Sequence, residues 1–374
     1  MLKKITMANP SFSKNDEKYI LDETKNILKQ SLSMGKNVRE FEKKFSSKFR
    51  CKYAVAMNSC TATLEAALMF VNTNKNEVIL SPQTFIANAT AVYSNGLKPV
   101  LSEISKEDLC IDYLKLKKII TKKTAAVILV NMFGIITKDI FKIKKLCKEK
   151  KILLIEDCAH SIGASINNKY SGTIGDIGCF SFYPTKIITS GEGGMLITNN
   201  RNIYNLARSY QNRGRNMSSS QELYDFAGRN VRMTEFSGLL GKIQLKNLDK
   251  YLKKRRLNIK LYTQYLSLNK FIKFIIPKKL EESSFWKLPI ILKDKKTREN
   301  LLKHLISKKI FADKSYFPLL HFQPALKNRI KVKKNSLKIS EQLSDTHLLL
   351  PCHQDLKNKD IKYVCNSINE FFNI

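Results

Sequence analysis

Four short clusters in this 374-residue chain combine residue types that could do chemistry on a bound ligand. In one, Ser181-Phe182-Tyr183-Pro184-Thr185-Lys186 is followed by Gly191-Glu192-Gly193-Gly194. Lys186 differs from the other lysines in following an apolar run instead of lying on a charged helical face. Partial burial there would lower the proton affinity of its amine and make it a nucleophile toward an aldehyde. In the second, Glu156-Asp157-Cys158-Ala159-His160 follows the apolar run 152–155. A carboxylate at a strand end can hold a positive charge on a bound heterocycle, and His160, three residues on, is spaced to add a hydrogen bond. A helix cap with a packed histidine carries the same signature. The third, Asn58-Ser59-Cys60-Thr61, puts small hydroxyl residues where free N–H groups open a helix. That is an anion site suited to a phosphate, although an N-cap equally explains Ser59 or Thr61. The fourth, Gly228-Arg229-Asn230-Val231-Arg232-Met233-Thr234-Glu235, offers polar groups at another helix start.

For such clusters to meet, they must share one edge of a sheet, and open α/β sheets bind ligands at the carboxyl ends of their strands. Between about residues 50 and 200, β-branched apolar runs alternate with helical periods, which is an α/β pattern. The pattern predicts strands over Tyr53–Met57, 78–80, 99–101, 125–130, 152–155, 178–183 and 195–198, and helices over 61–71, 86–93, 113–120 and 138–149. The last two strands leave no room for a crossover helix, so one of them is expected to run antiparallel. Amphipathic helices are expected over 16–30 and 38–49, and a long one over 234–266 bridges two units. The division expected is a large domain over 1–260 and a small α+β domain over 261–374, with a strand at 285–292 and helices at 298–307 and 361–372.

Composition narrows the function classes. Hydrophobic residues at 43% supply a core, which excludes a disordered chain. Lys+Arg 66 against Asp+Glu 32 leave a net charge of +34, a field that would attract nucleic acid or an acidic membrane surface. The lysines are scattered, however, with Lys142, Lys144, Lys145, Lys148, Lys150 and Lys151 around one helical stretch and others near 253–256 and 331–334. No zinc finger or RNA-binding signature accompanies them, so a solvated surface is favoured over specific nucleic-acid binding. The eight cysteines form no C-x-x-C pair and are expected to be free thiols, and nothing in the pattern suggests a metal. The longest apolar stretch, 125–136, is broken by Asn131 and Gly134 and is too short to cross a bilayer. With no apolar leader at the N-terminus, the chain is expected to be soluble and cytoplasmic, without membrane insertion.

In order along the chain, NSCTATL, PQTF, EDCAHSIGA, SFYPTK, GEGGM and GRNVRMTE resemble the DegT/DnrJ/EryC1/StrS family of sugar aminotransferases, which use pyridoxal 5′-phosphate (PLP). The resemblance runs from about residue 30 to 265, with weaker echoes such as Leu349-Leu350-Pro351 beyond. It implies fold type I of the PLP-dependent aminotransferases: a mainly parallel seven-stranded sheet with helices on both faces, plus a smaller C-terminal α+β domain, in a homodimer with shared active sites. It implies that Lys186 anchors the cofactor covalently and later moves a proton between the donor carbon and the cofactor. Asp157 would keep the pyridine nitrogen protonated, and His160 would contact the ring oxygen. Phe85 would stack on the pyridine, although a core position explains it as well. Cys60, Thr61 and Ser181 would hold the phosphate, completed by a polar group of the loop bearing Asn230 and Arg232 in the neighbouring subunit. The implied donor is L-glutamate and the implied acceptor a nucleotide-linked keto-sugar, in many relatives a 4-keto-6-deoxyhexose, destined for surface polysaccharide or other glycans. Other branches of the family act on a cyclitol or an antibiotic precursor, and relatives that remove the sugar 3-hydroxyl carry His where this chain has Lys186. A nucleic-acid-binding protein on an inactive aminotransferase fold has only the basicity in its favour.

Overall fold

The computed structural model describes residues 4–71, 74–330 and 332–374. Two helices lead, α1 (Lys14–Ile27) and α2 (Lys36–Phe49). α1 opens on a reciprocal cap: Ser13 Oγ accepts from the Asp16 N–H at 3.1 Å, and the Asp16 carboxylate accepts from the Ser13 N–H at 2.9 Å. α2 buries Val38, Phe41, Phe45 and Phe49 along one side. The chain continues through β1 (Tyr53–Met57), α3 (Cys60–Leu68), β2 (Glu77–Leu80), α4 (Ala87–Ser94), β3 (Lys98–Leu101), α5 (Tyr113–Ile119), β4 (Thr124–Val130), α6 (Ile140–Glu149) and β5 (Leu153–Asp157). A short ribbon of β6 (Ser165–Ile166) and β7 (Lys169–Tyr170) precedes β8 (Ile177–Ser181) and β9 (Gly194–Thr198).

Seven strands form one sheet in the order β1-β9-β8-β5-β4-β2-β3. β9 is antiparallel to β1 and to β8, and the other pairs are parallel, as expected for a mainly parallel sheet. Side chains alternate between its faces. Val55, Ile128 and Leu196 pack with Leu64, Val92 and Ile203 of α3, α4 and α7 (Arg201–Gln211). Ala56, Phe180 and Ile197 pack on the other side with the α2 phenylalanines, while Val127 and Leu129 meet Leu116 of α5 and Ile140 and Ile143 of α6. The reversal of β9 matters most for function. It brings the amino end of that strand to the edge where the other strands end, so that Gly194 pairs with both Met57 and Ser181.

Boundaries shift for local reasons. β8 stops at Ser181, short of the expected 183, because Pro184 has no N–H for the ladder and the Phe182 carbonyl accepts from the Ser190 N–H at 3.0 Å within the turn. β5 runs past the expected 155 because its ladder with β4 and β8 continues to Asp157, opposite Val130 and Cys179. α7 was not anticipated; it opens on Asn200, whose side chain accepts from the Asn202 and Ile203 N–H groups at 2.8 and 3.3 Å.

α8 (Glu235–Tyr265) is the expected long helix, capped by Thr234, whose hydroxyl accepts from the Ser237 N–H at 3.2 Å. Its Leu245, Leu248 and Leu252 belong to the large-sheet core. Ile259 and Tyr262 instead join the core of β10 (Lys273–Phe274), β11 (Leu288–Ile291) and β12 (His347–Leu350), an antiparallel three-stranded sheet. Against this sheet pack α9 (Lys295–Ser307) and α11 (Asn358–Phe371), and α10 (Lys338–Thr346) leads into β12. The strand expected at 285–292 narrows to β11 because Phe285 takes a positive φ of 49° and the Trp286 N–H bonds to the Phe133 carbonyl at 3.0 Å. All eight cysteines are free thiols. Among the described residues, no helix is long and apolar enough to cross a membrane.

Candidate active site

Where β1, β5 and β8 end and β9 begins, the chain encloses a cavity of about 460 Å³. Lys186, Asp157, His160, Cys60, Thr61, Phe85 and Ser181 all line it. The carboxylate of Asp157, 5% exposed, is held by two donors: Asn88 Nδ2 at 2.8 Å to Oδ2 and the Ala159 N–H at 2.9 Å to Oδ1. Burial pushes its pKa up, while Asn88, Ala159 and the charge of Lys186 pull it back down. Each oxygen keeps a lone pair for a ligand. Its neighbour Glu156 points the other way along the pleat and accepts the N–H groups of Gly172, Ile174 and Gly175 at 2.9, 2.8 and 2.6 Å, plus Asn131 Nδ2 at 3.2 Å. Glu156 is a loop anchor outside the cavity.

Lys186 sits in the turn that follows β8, its N–H bonded to the Tyr183 carbonyl at 2.9 Å. Burial lowers its amine from 10.5 to about 8, with Lys287 acting in the same direction and Asp157 against it. A larger share of the amine is therefore neutral near physiological pH than in an ordinary lysine, as a nucleophile requires. At the start of α3, the Ser59 hydroxyl accepts from the Ala62 N–H at 3.1 Å, so this serine is the N-cap. The first amides of α3, at Cys60 and Thr61, are among those a helix leaves without intrahelical partners, which suits an anion. Gly194 packs so closely here that a Cβ on it would lie 2.4 Å from the Ser59 carbonyl and 2.6 Å from the Cys60 nitrogen.

A second wall comes from beyond α8 and carries no sequence motif: Trp286, Lys287, Ser315 and Tyr316. The Trp286 ring stacks on His160 at 3.9 Å between centres and 5° between planes. His160 Nε2 is 2.8 Å from the Tyr316 hydroxyl, and burial, then Lys186 and Lys287, hold the imidazole well below its usual pKa. Its buried Nδ1 has no hydrogen-bond partner among the described residues, so the ring is stacked and neutral with one nitrogen uncommitted. Phe85, 55% exposed, faces the cavity 6.0 Å from the Tyr316 ring and is not a core residue. Asn88 was also missed. The available signal was its position three residues after Phe85, which puts both on one side of a helical turn. Asn230 and Arg232 do not reach the cavity of their own chain. Asn230 bridges to Asn212, and Arg232 bonds to the Asn212 side chain beside Ser33 and Met34.

Residues 14–369 match the profile of the DegT/DnrJ/EryC1/StrS aminotransferase family. The chain belongs to this family. It is 30% identical over 375 residues to a GDP-perosamine synthase of Escherichia coli O157:H7, covering 99% of each chain. It is 31% identical over 331 residues to the GDP-4-keto-6-deoxy-D-mannose 3-dehydratase of Yersinia pseudotuberculosis, covering 82% of this chain and 84% of that one. The structure of Helicobacter pylori PseC, an aminotransferase involved in the biosynthesis of pseudoaminic acid, superposes with a TM-score of 0.90 at 26% identity, over 99% of this chain and 100% of the other. This aminotransferase is PLP-dependent, and the cavity suits that cofactor on its own chemistry. Helix-start amides and the Thr61 and Ser181 hydroxyls meet the needs of a phosphate, Asp157 those of a cationic ring nitrogen, Lys186 those of an aldehyde, and the uncommitted His160 Nδ1 offers a further polar contact.

Proposed function

We propose that this aminotransferase moves an amino group from L-glutamate to a nucleotide-linked keto-sugar, a 4-keto-6-deoxyhexose, in cytoplasmic synthesis of a surface polysaccharide or other glycan. The observation that carries the reading is one cavity holding both the Lys186 amine, its pKa lowered to about 8 by burial, and the buried Asp157 carboxylate. The names of the E. coli and H. pylori relatives support a sugar acceptor. The Yersinia dehydratase reaches a similar identity, 31%, over a shorter span, so percentage identity does not separate the two chemistries. Lys186, where dehydratases carry His, favours amino transfer.

Bound PLP supplies an aldehyde that takes up the donor's amino group and an electron-withdrawing ring that spreads the charge left when the donor's α-proton departs. Asp157 keeps that ring cationic, its own charge oriented by Asn88 and the Ala159 amide. Lys186 would hold the cofactor and, through Nζ, move the proton between the donor carbon and the cofactor within each half-reaction. Phe85 fixes the ring plane, His160 orients the ring oxygen, and Cys60, Thr61 and Ser181 bind the phosphate. In this reading two chains share each site, and the segment bearing Asn230 and Arg232 serves the neighbouring subunit, consistent with its position outside its own cavity.

The test is the visible spectrum of purified protein with PLP before and after glutamate, in wild type and Lys186→Ala, followed by a panel of nucleotide keto-sugars, cyclitol ketones and amino-acid donors. Glutamate should shift the wild-type band and the variant should show no lysine-dependent band. A wild type that binds no PLP overturns the reading, and turnover of a cyclitol ketone with no keto-sugar reaction moves the acceptor to that branch.

A further inference from the structure

We propose that Lys287 is a positioning residue for Lys186, its charge acting beside the indole of Trp286 that both amines approach, to favour the neutral, nucleophilic form of the anchoring amine. The inference rests on the reading of Lys186 as that amine. Lys186 Nζ lies 4.3 Å and Lys287 Nζ 4.1 Å from the centre of the same Trp286 ring, so the two nitrogens are no farther apart than those distances combined, and both side chains line one cavity. Lys287 is 5% exposed and tied down: its Nζ pairs with Asp313 and donates to Ser315 Oγ at 3.3 Å, while Ser315 Oγ donates to Asp313 Oδ2 at 2.6 Å. Trp286 is equally fixed, its Nε1–H donating to the Thr185 carbonyl at 2.7 Å, in the residue next to Lys186, and its ring stacked on His160.

Lys287 lines the cavity and Asp313 does not, so the cation of the pair is the member that acts on Lys186. Like charges at this separation repel by on the order of 1–2 kcal/mol at the effective dielectric of a partly wet site. Burial lowers the pKa of both amines, but Asp313, paired directly with Lys287, pulls that one back up, whereas no carboxylate among the described residues pairs directly with Lys186, so Lys186 is the group that relieves the repulsion by losing its proton. Other titratable groups around the cavity do not substitute for Lys287. Burial keeps Cys60 and Tyr316 protonated and neutral and His160 unprotonated, while Asp157 and the exposed Glu192 carry the opposite charge.

Trp286 is the single tryptophan of the chain, so its fluorescence reports PLP capture without turnover. In the cofactor-stripped full-length protein, the rate of PLP-induced quenching is measured against pH for wild type, Lys287→Met, Lys287→Arg and the double variant Lys287→Met with Asp313→Asn, with Lys186→Ala as reference. The ionisations of PLP are common to all and cancel. Removing the charge should move the midpoint of the pH profile upward by on the order of one unit in Lys287→Met. Lys287→Arg should stay with wild type, and the double variant, which leaves no unpaired carboxylate behind, should also move upward. Unchanged midpoints in both neutral variants overturn the proposal. A wild type that captures PLP no better than Lys186→Ala overturns instead the reading on which it rests.

Discussion

Glu156 and Asp157 are consecutive residues of one strand, both buried and both with pKa values raised by burial, yet they serve different regions. On one face Glu156 closes a cradle, its two oxygens taking three backbone amides and Asn131. On the other Asp157 takes only two donors and borders a cavity large enough for a small ligand. What distinguishes a carboxylate that holds a fold from one available to a ligand is therefore not burial or pKa direction but unspent acceptor capacity beside open space.

The comparison breaks most visibly on substitution. Glu156→Ala should cost about 3 kcal/mol or more, because three backbone donors lose their partner at once. Asp157→Asn should leave the urea midpoint nearly in place while lowering kcat by about 10²–10³-fold, the loss typical of a preorganised charge at a reacting centre. Equal destabilisation by the two substitutions would erase the distinction.

The open side also stores unfavourable energy. A lysine whose folded pKa of about 8 lies below its unfolded 10.5 makes the folded state bind fewer protons between those values, so stability rises with pH across that window and the full cost is present below it. Lys186→Met should therefore stabilise the cofactor-free protein at pH 7 by about 1–2 kcal/mol, discounted for partial solvation of the amine, with the gain fading from pH 8 to 10.5. Denaturant titrations at pH 7 and pH 10.5 check both the sign and the window.

The smallest effects separate the two supporting amides. Asn131→Ala should cost about 1–2 kcal/mol in stability with PLP affinity unchanged, since Glu156 keeps its backbone donors. Asn88→Ala should cost less stability but weaken PLP retention by about tenfold, because the Asp157 carboxylate loses the 2.8 Å bond that orients it. Thermal melts with PLP titrations distinguish them.

Much of the first wall was legible because several of its residues sit at or just past a strand end: Asp157 closes β5, Ser181 closes β8, and Cys60 opens α3 within a few residues of β1. The alternative reading of the third cluster held for one atom, since the Ser59 hydroxyl is spent as a helix cap. The second wall left no such trace. Trp286 and Lys287 sit in what reads as an ordinary apolar strand start, and Tyr316 lies in a segment with no regular element.

Residue order along the chain was enough to establish an α/β unit, its strand ends and a lysine unlike its neighbours, because strand periodicity, caps and turns are short-range properties. Only folding decided which of the last two strands reverses, that Phe85 faces a cavity instead of a core, and that Trp286 brings a second ammonium beside Lys186. Those outcomes depend on contacts between distant segments, whose energies come from packing and mutual desolvation and leave no periodic mark in the sequence.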